Sequence, residues 1–203
     1  MMNITWLGHS CFILESEGFR VLLDPYKEVQ GLPDVEAEAD AVYCSHGHFD
    51  HAYTEKVRLT TGKENSFTVT EVSAFHDSEG GALRGPNMVR KFTAGGVSVA
   101  HLGDLGHPLS AAQLVELGHC DAVMIPVGGY YTIDAPTAKA VADAIGANVV
   151  VPMHYRNGPV GFGVLGTLED FTGLYPAEAV KRYGSTLALE RDMPRQVAVL
   201  TLG

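Results

Sequence analysis

A succession of short apolar runs constrains this chain most: "NITWLG", "CFILE", "RVLLD", "AVYCS", "SFTVTEVSAF", "MVRKFTA", "VSVAHLG", "DAVMIPV", "ANVVVPM" and "QVAVLTL". Gly, Pro, Asn and Asp separate them, the residues that supply turn geometry, so each run reads as a strand. Amphipathic stretches at 109–118 and 134–146 interrupt the series in its second half, each closed by a glycine and opened by a candidate N-cap, Ser110 or Asp134. Residues 167–184 read as two short helical pieces joined at Pro176. Sheets with an apolar face must bury it, which predicts two sheets packed face to face with helices outside.

With 46% hydrophobic and 19% charged residues the composition is that of a globular protein, and 203 residues are expected to form one domain, 1–203. Lys and Arg number 14 against 24 Asp and Glu, a formal charge of −10 with no basic cluster, which weighs against a nucleic-acid partner. The opening "MMNITWLGHSCFILES" has neither a basic start nor a long apolar stretch, so no membrane partner and a cytoplasmic location are expected. Cys11, Cys44 and Cys120 are scattered and read as small buried hydrophobes. Closed homo-oligomers are a common default, and no interface is legible.

The chemistry gathers at the segment "CSHGHFDH", 44–51. Residues two apart on an extended chain point the same way, so His46 and His48 can face one ion, while Asp50 and His51 fall where the chain is expected to turn into a helix. His76, Asp104 and His154 each end a further strand run, at intervals of 25, 28 and 50 residues from His51 onward. Those intervals leave room for a hairpin or a helix-strand unit between ligands. Imidazole and carboxylate donors suit zinc, and also manganese or iron, whereas the cysteines are poorly placed for a thiolate site.

The pattern H-x-H-x-D-H at 46–51, with the later strand-end His, Gly-Asp and His, resembles the metallo-β-lactamase fold superfamily. The framing motifs "WLGHSCFILE", "VLLDP", "HLGDLGH", "PVGGYYTIDAPTA" and "VVPMHY" are similar to its small prokaryotic metal-dependent hydrolases, related to the ascorbate-phosphate lactonases. The resemblance implies an α+β, four-layer αββα sandwich of two mixed sheets. It implies two divalent ions, the first held by His46, His48 and His76, the second by Asp50, His51 and His154, with Asp104 bridging. It further implies a hydrolase in which a metal-bridged hydroxide cleaves a small ester, lactone, amide or phosphodiester, with Asp50, Asp104 and His154 as catalytic residues.

The resemblance also implies that Asp24 in "VLLDP" orients a ligand histidine, ahead of simple turn chemistry before Pro25. Arg84 and Asn87, in the irregular segment 77–87, together with Tyr131 and His107, are the candidate contacts to a small, anionic substrate. His9 and His101 read as hydrogen-bonded histidines, and His119 as a cap on a helix C-terminus. Three other functions share parts of the pattern. A nuclease or small-nucleotide phosphodiesterase uses the same ligands, a mononuclear iron dioxygenase uses similar ones, and a metal-stabilised binding module needs no reaction at all.

Overall fold

The computed structural model describes all 203 residues. The first half contains β1 (Met2–Gly8), β2 (Cys11–Ser16), β3 (Phe19–Leu23), β4 (Ala37–Ala39), β5 (Ala41–Tyr43), β6 (Val57–Leu59), β7 (Thr68–Phe75), β8 (Pro86–Ala94) and β9 (Val97–His101). There follow α1 (Ala111–Leu117), β10 (Ala122–Pro126), α2 (Ala135–Ile145), β11 (Val149–Met153), α3 (Leu168–Thr172), β12 (Val180–Arg182), β13 (Thr186–Leu189) and β14 (Gln196–Val199). No helix is long and apolar enough to cross a membrane.

Two mixed sheets result, one of five strands in the order β13-β1-β2-β3-β5 and one of seven in the order β12-β14-β11-β10-β9-β8-β7. Strand alternation explains how the first is covered. In β2, Phe12 and Leu14 join the main core of 45 buried residues between the sheets, while Cys11 and Ile13 point the other way into a second core of 7. A strand apolar on both faces must be buried on both. The outer cover here is the segment carrying Tyr26, Val29 and Val35 together with a small β4-β6 ribbon, not a helix.

Helices α1 and α2 pack on the seven-stranded sheet, against β7 and β10. Both expected N-caps are present: Ser110 forms a reciprocal capping box with Gln113, and the Asp134 carboxylate accepts the Thr137 amide. Gly146 closes α2 at φ 73, in the left-handed region that favours glycine. The 167–184 expectation is half corrected. Only α3 and one 3-10 turn at Ala177–Ala179 are helical, and Val180–Arg182 instead forms β12, pairing in parallel with Val197–Val199. An available sheet edge overrode the local helical pattern.

Strand direction sets where the loops gather. β1, β3 and β5 run the same way in the first sheet, as do β7, β9, β10 and β11 in the second. Every residue singled out above for metal chemistry follows the C-terminal end of one of these strands.

Candidate metal centre

The segment after β5 folds as a tight turn, with the amides of His51 and Ala52 both donating to the His48 carbonyl at 3.0 and 2.9 Å. It is neither the extended strand nor the helix that the residue spacing suggested, and the turn itself brings the imidazoles round. The rings of His46 and His48 lie 4.6 Å apart, and both approach His76 beyond β7, at 4.7 and 5.1 Å.

Asp104, after β9, sits at the centre of the cluster. Its Oδ1 is 3.2 Å from His51 Nε2, and its Oδ2 is 3.1 Å from His76 Nε2 and 3.2 Å from His154 Nε2. Its carboxylate therefore touches both histidine groups. On one side stand His46, His48 and His76; on the other His51, His154 and Asp50, joined by His9.

Hydrogen bonds behind the cluster aim the rings. Asp24, in a left-handed conformation at φ 45, accepts His51 Nδ1–H at 2.7 Å and the Ser45 amide and hydroxyl, each at 2.6 Å. Because the Ser45 hydroxyl proton goes to Asp24, its oxygen accepts from His46 Nδ1 at 2.9 Å. His76 Nδ1 donates to the Tyr131 carbonyl at 3.1 Å. Three imidazoles are thus anchored through Nδ1–H, which directs each Nε2 inward. Ser45 was not singled out in the sequence, where a serine among histidines carries no distinctive signal.

Electrostatics follow from this packing. Burial, then the charge of neighbouring His51, draws His46 down to about 3, so the ring is a neutral donor at physiological pH. Burial would lower His51 too, but Asp104 and Asp24 on either side push it well above its ordinary value. Burial would raise Asp104, yet His154 and His51 hold it well below the usual carboxylate range. Burial would likewise raise Asp50, and the adjacent His9 and His51 keep it low.

Several expectations are corrected. Asn87 is no loop residue: it is buried in β8, its side-chain amide donating to the Leu102 carbonyl and its oxygen accepting the Asp104 amide, both at 2.9 Å. Its side chain braces the Asp104 backbone. His107 is occupied as well, Nε2 accepting the Phe75 amide at 3.1 Å and Nδ1 donating to the Pro108 carbonyl at 2.8 Å, and it does not line the pocket. His119 caps no helix; it pairs with Asp121 at 3.4 Å, while Lys91 takes the Leu117 carbonyl at the end of α1. His101 is hydrogen-bonded as expected, to the Ser10 carbonyl and the Gly103 amide. His9 is not: it is buried, Nδ1 has no partner, and Nε2 approaches Asp50 Oδ2 at 3.4 Å without good hydrogen-bond geometry.

A cavity of about 290 Å³ opens onto the cluster, walled by His48, Phe49, Asp50, His76, Arg84, Asp104, Tyr131 and Phe162. Arg84 is held there because the Asp77 carboxylate gathers the amides of Glu79, Gly81, Leu83 and Arg84 into one compact loop. Its guanidinium lies 5.7 Å from the Tyr131 ring and donates to the Tyr130 carbonyl at 3.3 Å. Phe49 and Phe162 went unmarked in the sequence, since a lone aromatic in a loop reads as ordinary packing.

The residues fit divalent cations. His46 Nε2, His51 Nε2, His154 Nε2 and Asp104 Oδ1 are buried without a hydrogen-bond partner, a costly arrangement for a cluster serving packing alone. The donors are all imidazole nitrogen or carboxylate oxygen, which suits borderline and hard divalent ions.

A sandwich of two mixed sheets with such a cluster along one edge defines a metallo-β-lactamase-fold protein. The chain belongs to the family described as the Beta-lactamase superfamily domain, whose model matches residues 3–154. It is 31% identical to a UPF0173 metal-dependent hydrolase of Methanosphaerula palustris, over 100% of this chain and 98% of that one. A protein of the same description from Carboxydothermus hydrogenoformans is 28% identical, covering 83% of this chain and 91% of its own length. The crystal structure of a proposed Zn-dependent hydrolase of the metallo-β-lactamase superfamily from Thermotoga maritima superposes with a TM-score of 0.79 at 36% identity, covering 100% of both chains.

Proposed function

We propose that the chain is a binuclear metal-dependent hydrolase acting on a small, anionic substrate. The observation that carries this reading is the position of Asp104, whose two oxygens lie 3.1–3.2 Å from histidines of both groups. His46, His48 and His76 would hold one ion and Asp50, His51 and His154 the other, with Asp104 shared; zinc suits the donors, and manganese or iron is compatible with them. When bound, such a pair supplies a hydroxide near neutral pH and polarises a carbonyl or phosphoryl oxygen.

The chain's own residues do the rest. Asp50 lies on the cavity wall, kept ionised by His9 and His51, so its carboxylate accepts a hydrogen bond from an entering water and orients it. Arg84 offers a forked donor to a carboxylate or phosphate group. Phe49, Phe162 and Tyr131 exclude water around the apolar remainder of the substrate. A cavity of about 290 Å³ is at the small end of ligand sites, and with a net charge of −10 it favours a small ester, lactone, amide or phosphodiester over a polynucleotide.

Elemental analysis of protein purified without chelator tests the reading. About two equivalents of divalent metal per chain are expected in the parent, with most lost in Asp104→Ala, together with hydrolysis of an ester, lactone or phosphodiester panel. One equivalent of iron unaffected by the substitution, accompanied by oxygen uptake, would overturn it.

A further inference from the structure

His9 occupies the two-residue connection between β1 and β2, opposite the loop that carries the H-x-H-x-D-H motif. Its backbone is left-handed at φ 51, a conformation that costs a non-glycine residue free energy unless its surroundings enforce it. Two hydrogen bonds do so: its carbonyl accepts the Trp6 indole N–H at 3.0 Å and the His154 amide at 3.3 Å. The ring is thereby fixed 4.2 Å from that of His154 and 5.3 Å from that of His51.

The side chain has no solvent exposure, Nδ1 lacks a hydrogen-bond partner, and Nε2 makes no hydrogen bond of good geometry. A core histidine kept for packing alone would satisfy at least one nitrogen, as His101 does. Instead, His9 Nε2 faces Asp50 Oδ2 at 3.4 Å. Two ligand atoms each about 2.0–2.2 Å from one ion stand roughly 2.8–3.6 Å apart at octahedral or tetrahedral angles. The His9–Asp50 separation falls in that range, as do the 3.2 Å separations of His51 and His154 from Asp104.

We propose that His9 is a direct ligand of the second divalent ion, which it holds with Asp50, His51 and His154; this rests on the binuclear reading above. A donor from β1–β2 would tie the five-stranded sheet to the metal independently of the motif loop, so loss of His9 weakens one ion and spares the other.

The test uses Co(II) as the sole probe, titrated into the metal-free parent, His9→Ala and His9→Gln. Bound equivalents are counted by elemental analysis after gel filtration, and d–d absorption is recorded. The parent is expected to take two equivalents; both variants should bind the first with parent affinity and the second at least tenfold more weakly, with a changed spectrum. His9→Gln retains a polar group able to hydrogen-bond Asp50, so its binding both ions with parental affinity and spectrum would overturn the proposal and leave the binuclear reading standing. A parent that binds fewer than two equivalents overturns both. Should neither variant fold, proton NMR of the dicobalt parent with labelled histidine decides: hyperfine-shifted rings from six histidines support the proposal, and from five overturn it.

Discussion

Asp24 Oδ2 lies 2.7 Å from His51 Nδ1, and the same carboxylate reaches His46 through the hydroxyl of Ser45. One side chain at the end of β3 therefore orients a histidine in each half of the centre. Asp24→Asn replaces an acceptor oxygen by a donor, so metal affinity should fall about 10–100-fold. Competition against a chromophoric chelator measures it; unchanged affinity would show that the turn alone aims the rings.

Arg84 is the cavity's cation, and its guanidinium meets the Tyr130 carbonyl and the Tyr131 ring. Arg84→Ala should raise KM for a carboxylate- or phosphate-bearing substrate about tenfold, roughly 1.4 kcal/mol, with kcat nearly constant. A neutral analogue should be unaffected. A uniform loss on charged and neutral substrates would instead mean that Arg84 supports the loop.

Gly106 passes so close to the backbone of His76 and Asp77 that an added Cβ would overlap it. Gly106→Ala should destabilise by about 1–3 kcal/mol, as overpacked sites do, and weaken metal binding through His76. Urea denaturation of metal-free protein separates the first effect from the second; a midpoint equal to the parent's would show that the two segments move apart freely.

Acid sensitivity has a specific source away from the centre. Asp40 accepts the Arg20 amide at 2.8 Å, the Lys63 ammonium at 2.9 Å and the Thr60 hydroxyl. Burial acts against these bonds, which nevertheless bring the carboxyl down to about 2. A folded value below the unfolded one, about 3.9, means that the unfolded chain takes up the proton first as pH falls. The stabilisation is complete above the unfolded value and is lost as pH drops toward the folded one. Asp40→Asn should lower Tm at pH 7 and close the gap with the parent between about pH 4 and 2. A gap constant over that interval would show that the bonds do not depend on the charge.

Much of the fold was legible locally. The strand runs, both helix N-caps and the glycine ending α2 depend on a residue and its near neighbours, so they stand in the structure as the sequence predicts. The outer cover of the five-stranded sheet was less so: apolar residues on both faces of β2 demand a cover but do not say whether helix or loop supplies it.

The sequence by itself singled out candidate donors: the H-x-H-x-D-H segment and three strand-end residues by residue type and spacing, and Asp24 through the family resemblance. Tertiary structure alone decided where those donors point and what stands behind them. Ser45, Asn87 and Phe162 have their roles through partners far away in the chain or through burial, and spacing along one segment cannot reveal either. His9 is the clearest case. Its 4% exposure and unpaired nitrogens exist only because the β1–β2 connection meets the segments carrying Asp50 and His154 at one edge of the sandwich.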